Sequence, residues 1–292
     1  MIDRRTFVAG TLALAGGCGR GGGAGEARAA GPGLELIRAE LGQRARLGVA
    51  ALDTGSGRRL RFDANSRYAM CSTFKLPLAA AVLAGVDRGR FSLEDELSFG
   101  EDDLLDHAPV VRANRRRGRL SLEQLCAAIV EVSDNSAANL LLRRIGGPAA
   151  LTAFIRRSGD TVTRLDRYEE ELNGNLPGDA RDTTTPAAMI GLMHALLLGN
   201  ALRPSSRAML VAWMEGATTG LKRLRAGFPP GWRAGDKTGN GAHGAANDIA
   251  IAWPPGRPAI LVASYISGAE VGDEARHAAH AAVGRVVAAA LL

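Results

Sequence analysis

Apolar positions along this chain follow one period at its two ends and another in its middle. Leu34, Ile37 and Leu41 share one helical face, so the spacing predicts a helix over Leu34 to Ala45. Two short runs follow, Leu47 to Asp53 and Leu60 to Ala64. They flank a Thr54-Gly55-Ser56-Gly57 turn and read as a hairpin. Three more strand-like runs lie near the other end, Arg233 to Thr238, Asp248 to Trp253 and Ala259 to Ile266, before an Ala- and Val-rich helix from Asp273 to Leu292. Between these ends the apolar segments have helical length and period: Phe74 to Val86, Leu120 to Val132, Ser136 to Ile145, Pro148 to Ser158, Thr185 to Leu198 and Arg207 to Met214.

Strands, then helices, then strands, with no regular strand–helix alternation, argue for an α/β fold of the α+β kind. We expect an antiparallel five-stranded sheet flanked by helices, with an all-helical domain inserted into it. The expected division is a leader over 1–29, a discontinuous α/β domain from 30–68 and 216–292, and a helical domain over 69–215. The 164–182 stretch carries Gly174, Pro177 and Gly178 without a clean period and reads as a long irregular loop, the kind that is functional or disordered. A groove between the two domains is the natural place for a ligand.

With 292 residues, 46% of them apolar, the chain can bury a substantial core, which excludes global disorder. Its first residues join Arg4-Arg5 to an apolar stretch, Phe7 to Ala15, that is too short to span a bilayer. A small-residue run ending in Ala27-Arg28-Ala29-Ala30 follows. This is an export signal, and Arg4-Arg5-Thr6-Phe7-Val8 resembles the twin-arginine kind. Cys18 follows a sequence only loosely like a lipoprotein box, so release into the periplasm or medium is expected rather than a lipid anchor. Cleavage after Ala29 removes four arginines against Asp3 and Glu26, which takes the net charge from +6 to +4. That surplus is modest. The Arg115-Arg116-Arg117-Gly118-Arg119 run sits in a polar loop of a chain with only 4% aromatics, so it reads as solvated charge and not as a nucleic-acid surface. Five scattered histidines make no zinc pattern, and no cofactor or metal is implied.

Four short elements carry the candidate chemistry: Ser72-Thr73-Phe74-Lys75, Ser133-Asp134-Asn135, Arg167-Tyr168-Glu169-Glu170-Glu171-Leu172-Asn173 and Lys237-Thr238-Gly239. The helix after Ser72 is apolar nearly all round and must be buried, so Lys75 is a core lysine that has to pair or lose its proton. One turn separates it from Ser72 and brings amine and hydroxyl to one face. To act as a base near neutral pH, Lys75 needs its pKa lowered by about 3 units, roughly 4 kcal/mol, which desolvation and a nearby cation such as Lys237 can supply. Alone, Ser72 would be a helix cap, Lys75 a snorkelling lysine, Ser133-Asp134-Asn135 a turn and the three glutamates a wet surface. Lys237-Thr238-Gly239 falls on a strand, where Gly239 and Gly241 let a ligand lie against the backbone. Taken together and in order, the elements describe an acyl-transfer site.

The set resembles the class A serine β-lactamases, for which these motifs are a recognised signature, over most of the chain after about residue 34. The resemblance implies that family's fold and an acyl-enzyme on Ser72, with Lys75 as base, Ser133 passing a proton to the leaving nitrogen and Glu169 activating the water that frees the ester. It implies that Asn135 holds the substrate's side-chain carbonyl, that Asn173 holds Glu169 and that Asn139 braces the loop. Lys237 would raise the local potential, Thr238 would bond the substrate carboxylate, and Gly239 and Asn240 would line the strand beside it. The backbone N–H groups of Ser72 and Asn240 would form an oxyanion hole, and Asn240 is larger than the residue usual there.

The guanidinium for the substrate carboxylate is assigned to Arg223, with Arg225 as the competing candidate. His107 matches an aromatic at the groove mouth. Arg167 and Asp182 would close the loop by an ion pair, although on their own they read as solvated charges. Some carbapenem-hydrolysing relatives join the cysteine at the place of Cys71 to one at the place of Gly241, a bridge this chain cannot form. His277 and His280 share a helix face in a region without other ligands. The expected partners are β-lactam small molecules, with no nucleic acid and no membrane span, and the expected state is a monomer. A penicillin-binding D-alanyl-D-alanine peptidase shares the first three motifs without needing Glu169. A β-lactam sensor would stay acylated.

Overall fold

A computed structural model describes residues 31–292. The leader features over 1–29, Arg4-Arg5 and Cys18 among them, lie outside the described residues. The chain runs α1 (Gly31–Glu40), β1 (Arg46–Asp53), β2 (Arg59–Phe62), β3 (Tyr68–Ala69), α2 (Lys75–Asp87), β4 (Glu96–Ser98), α3 (Pro109–Ala113), β5 (Arg119–Ser121), α4 (Leu122–Glu131), α5 (Asn135–Ile145) and α6 (Pro148–Arg157). It continues through β6 (Thr183–Thr184), α7 (Pro186–Leu197), α8 (Pro204–Glu215), α9 (Leu224–Gly227), β7 (Arg233–Gly241), β8 (Ala245–Trp253), β9 (Ile260–Ser267) and α10 (Asp273–Leu291).

Five strands form one antiparallel sheet in the order β2-β1-β9-β8-β7, which joins the two ends of the chain. Alternate residues serve its two faces, as the pleat requires. Val49, Ala51, Val262 and Ile266 pack with Leu34, Ile37, Val283 and Val287 of α1 and α10. Ala50, Leu52, Ile249, Leu261 and Tyr265 pack on the other side against the helices that intervene in sequence. Both faces are covered, so the central strands read as continuous apolar runs. The middle of the chain is helical apart from the short ladders β3–β6 and β4–β5, which the apolar pattern did not announce because each strand is only two or three residues long.

At the centre of the helical unit lies α2, with eleven of its thirteen residues buried. Its apolar surface has no polar stripe because α4, α5, α6, α7 and α8 surround it. Burying side chains such as Leu76, Leu78, Val82 and Leu83 contributes about 1.5–3 kcal/mol each. Helix α4 starts at a capping box between Ser121 and Gln124. Helix α5 starts at Asp134, whose Oδ1 accepts from Ala137 N–H at 2.9 Å and whose Oδ2 accepts from Val110 and Val111 of α3. The middle residue of Ser133-Asp134-Asn135 therefore works as a cap.

Several boundaries differ from expectation, three of them near the site or the sheet. The first helix ends at Glu40 and not at Ala45, because Gly42 adopts φ +116 and turns the chain into β1. Strand β7 continues past Thr238 to Gly241, and β8 begins at Ala245, three residues before the expected start. Ala245, Ala246 and Asn247 are small or polar and carry no strand signal. They are drawn into the ladder by pairing with Gly241, Asn240 and Gly239.

Candidate active site

Ser72 lies in a single 3₁₀ turn, Cys71–Phe74, that runs straight into α2. In that geometry residues three apart nearly eclipse, and Lys75 Nζ comes within 2.9 Å of Ser72 Oγ. Cys71 at φ +44 and Ser133 at φ +63 hold left-handed conformations that non-glycine residues seldom adopt, one beside the nucleophile and one facing it. Asn247 Nδ2 ties down the segment before the turn by donating to Ala69 O at 2.9 Å and Met70 O at 3.0 Å. Gly239 of β7 packs against the same turn. A Cβ there would stand 2.9 Å from Met70 O and 3.1 Å from Ser72 N, so only glycine lets the strand lie this close.

Lys75 is fully buried and surrounded by acceptors: Asn135 Oδ1 at 2.6 Å, Ser133 O at 2.8 Å, Glu169 Oε1 at 2.9 Å and Ser133 Oγ at 3.4 Å. Burial lowers its pKa, and the Glu169 carboxylate opposes that shift. A carboxylate, a carbonyl and an amide oxygen all require protons from this amine, so we read resting Lys75 as an ammonium despite the lowered pKa. Lys237 is equally buried. It donates to Ser133 Oγ at 3.0 Å and to Thr238 O at 2.8 Å, and burial followed by the charge of Lys75 holds its pKa well below the usual lysine range. Ser133 Oγ thus stands between two amines. Thr238 Oγ1 donates to Thr219 Oγ1 at 2.7 Å.

Glu169 is carried by the long loop and pinned from three directions. Asn173 Nδ2 donates to its Oε2 at 2.6 Å, while Asn139 accepts from its N–H at 3.0 Å and donates to its C=O at 2.9 Å. Its Oε1 lies 3.4 Å from Ser72 Oγ. The loop is closed by Asp182, a fully buried carboxylate that accepts from Asp166 N–H at 2.7 Å, Arg167 N–H at 3.0 Å and Arg167 Nε at 2.6 Å. Solvated charges, the reading these two residues support in isolation, are therefore replaced by a buried pair. Two backbone N–H donors, which no side-chain pattern reveals, make that burial feasible.

A cavity of about 460 Å³ opens over Ser72, lined also by His107, Ser133, Asn135, Asn173, Thr219, Arg223, Thr238, Gly239, Asn240, Asp273 and His277. His107 is exposed at its edge, with Nε2–H donating to Val132 O at 2.9 Å. Asn135 donates to Glu170 Oε1 at 3.1 Å. A larger cavity of about 720 Å³ behind the loop is lined by arginines including Arg46, Arg67 and Arg181; of the motif residues only Arg167 borders it, and neither Ser72, Lys75, Ser133 nor Glu169 does. Of the two candidate guanidiniums, Arg223 reaches the cavity over Ser72. Arg225 instead pairs at 3.2 Å with buried Asp236 and donates to Ala217 O, a structural anchor. Cys71 and Cys126 are free and buried, and burial pushes the Cys71 thiol up to about 12.

Sequence reasoning missed Thr219 and Asn247, and it set His277 in a region without other ligands. His280 is a core residue bonded to Ser264 Oγ and Ala246 O, but His277, one turn earlier on α10, stands 3.3 Å from Arg223 and faces the cavity. No local signal separates the two histidines. The arrangement as a whole can polarise a hydroxyl, move its proton through a closed ring of amines and oxygens, and hold a water activator on a separate loop.

A family model described as "Beta-lactamase enzyme family" matches residues 35–291. The chain is 45% identical over 241 residues to "Carbapenem-hydrolyzing beta-lactamase KPC" of Klebsiella oxytoca, covering 82% of each chain. It is 46% identical over 261 residues to a "Beta-lactamase" of Mycobacterium tuberculosis (strain ATCC 25177 / H37Ra), covering 87% of this chain and 84% of that one. Among solved structures, "Last common ancestor of Gram-negative bacteria (GNCA4) beta-lactamase class A" superposes with a TM-score of 0.88 at 52% identity, covering 90% of this chain and 100% of the other.

Proposed function

This chain belongs to the class A serine β-lactamase family, and from that premise we propose how its residues open and release a β-lactam. The activity is hydrolysis of the β-lactam amide, which confers resistance to those antibiotics. The roles of individual residues are our reading. The observation that carries it is the ring of short separations joining Ser72, Lys75, Glu169 and Ser133.

Ser72 Oγ attacks the lactam carbonyl carbon, and its proton passes to Glu169 Oε1. The tetrahedral oxygen is held by the backbone N–H groups of Ser72 and Asn240. As the C–N bond breaks, the nitrogen takes a proton from the Ser133 hydroxyl. Lys75 replaces that proton, and Glu169 restores the proton of Lys75 across 2.9 Å. The net result is one proton moved from Ser72 to the leaving nitrogen, with Ser133 and Lys75 restored and Glu169 again a carboxylate. It then takes a proton from water, the resulting hydroxide attacks the ester carbonyl, and the same proton returns to Ser72 as the acid leaves. Lys75 is a second base within reach of Ser72, used when Glu169 is absent. Asn135, Asn173, Lys237, Thr238, Gly239 and Asn240 hold the substrate and the loop, Arg223 faces the substrate carboxylate, and His107 borders the mouth.

We also propose that residues 1–29 direct export to the periplasm or medium, on the strength of Arg4-Arg5 and the short apolar run after it. Residues 69–215 act as one inserted helical unit, and the enzyme works as a monomer. Among the described residues no helix is long and apolar enough to cross a membrane. The test is to mix purified protein with a chromogenic cephalosporin and follow colour and protein mass together. Steady turnover is expected. Stoichiometric trapping by the unmodified protein would refute the reading in favour of a peptidase or sensor, and turnover by Ser72→Ala would remove its foundation.

A further inference from the structure

Arg223 has five N–H groups to offer; four point at acceptors already in place and the fifth is buried away from the cavity. Its Nη1 donates to Asn247 O at 2.6 Å and Gly239 O at 3.3 Å, both main-chain acceptors of the β7–β8 ladder. Its Nη2 donates to Asn240 Oδ1 at 2.6 Å and to His277 Nε2 at 3.3 Å. The remaining Nε–H is buried and has no partner. A carboxylate that reaches this guanidinium must therefore displace an acceptor already in place.

The four acceptors are not equally movable. Gly239 O and Asn247 O belong to paired strands, and shifting them breaks the sheet. His277 is half-buried in the first turns of α10. Asn240 alone is exposed, on a short side chain with two rotatable bonds, and it lines the cavity over Ser72. Resting on the reading that the substrate is a carboxylate-bearing β-lactam opened at Ser72, we propose that Asn240 determines specificity by competing with the substrate carboxylate for Arg223. The amide oxygen of Asn240 is a resident stand-in for the carboxylate oxygen, neutral where the substrate is charged. A carboxylate is the stronger acceptor and displaces it. The exchange weakens the hold on every substrate that bears the anion and leaves untouched any substrate that lacks it.

The test uses one chromogenic cephalosporin as its free acid and as its methyl ester, and reads the ratio of the two kcat/KM values, acid over ester. Removing the competitor in Asn240→Ala should raise that ratio about 3- to 10-fold, the range of an ordinary hydrogen bond. Placing a charged competitor there in Asn240→Asp should lower it about 10-fold or more, as for a bond between charged groups. In an Arg223→Gln background the Ala effect should shrink to less than about twofold. Ratios unchanged within about twofold in both Asn240 variants, on folded protein, would overturn the proposal while leaving the acyl-enzyme reading intact. A wild type that opens neither compound would overturn that reading, and the proposal with it.

Discussion

Replacing Asp182 by alanine tests whether a salt link remote from the bond-breaking atoms sets the rate of the second half of the reaction. Asp182 is fully buried, the Arg167 side chain is 18% exposed, and among the described residues the carboxylate is the only acceptor for Asp166 N–H and Arg167 N–H. The charged bond from Arg167 Nε contributes about 1.5–3 kcal/mol, and each orphaned N–H costs about 1–3 kcal/mol more. Removing one partner of a buried pair typically costs about 3–5 kcal/mol. Partial access of water to Arg167, and Asp179 Oδ2 at 3.6 Å from it, place this case near the lower figure.

That cost is spread over a loop and not over the core, so it is limited by the free energy of opening the loop locally. Glu169 and Asn173 travel with the loop, whereas Ser72, Lys75 and Ser133 lie outside it. We expect Asp182→Ala to keep acylating, with Lys75 within 2.9 Å of Ser72 as base, and to deacylate at least about tenfold more slowly, since about 1.4 kcal/mol of loop opening is tenfold in equilibrium. Intact-protein mass during turnover reads the accumulated acyl-enzyme, and urea unfolding reads global stability. A variant that shows neither an adduct nor a stability loss above about 0.5 kcal/mol would refute the argument that this pair holds the water activator.

In Glu169→Gln, Lys75 loses its carboxylate partner and burial pushes its pKa further down, so a neutral amine still accepts the proton of Ser72. Mass spectrometry should show a lasting adduct after one turnover, and full turnover would exclude Glu169 as the water activator. Gly239→Ala puts a methyl 2.9 Å from Met70 O and 3.1 Å from Ser72 N, which must push β7 off the nucleophile turn. Its kcat/KM should fall about tenfold or more with the protein still folded, and wild-type kinetics would mean that the turn yields freely. Burial pushes the Asp236 carboxyl from 3.8 up to about 6, with Arg225 opposing. Between those values the native protein keeps a proton that the unfolded chain has released, so this contribution is present at low pH and lost as pH rises through about 6. Urea midpoints from about pH 4 to about pH 7 should therefore fall less steeply with rising pH in Asp236→Asn than in wild type, and equal slopes would refute the shift.

Legibility from sequence divides by the range of the interaction. Ser72 and Lys75 are three apart on one turn, and Glu169 and Asn173 are four apart in one loop, so local geometry brings each pair together and spacing reveals them. The five-stranded sheet was legible for the same reason, since β1, β8 and β9 are buried on both faces and write their burial as apolar runs. Arg167 and Asp182 show where this stops. Fifteen residues apart and equally compatible with solvent, they are paired because a closed loop aims two backbone N–H groups at one carboxylate, and backbone donors leave no mark in a sequence.

Arg223 and His277 are a harder case. They meet only because α10, the last helix, packs against α9, which in turn lies on β7 and β8, and nothing within either segment distinguishes His277 from His280 one turn on. The motifs thus disclose the atoms that make and break bonds, while the acceptors that compete for the substrate come from the packing of distant segments. Two chains can therefore share every motif and differ in the molecules they prefer.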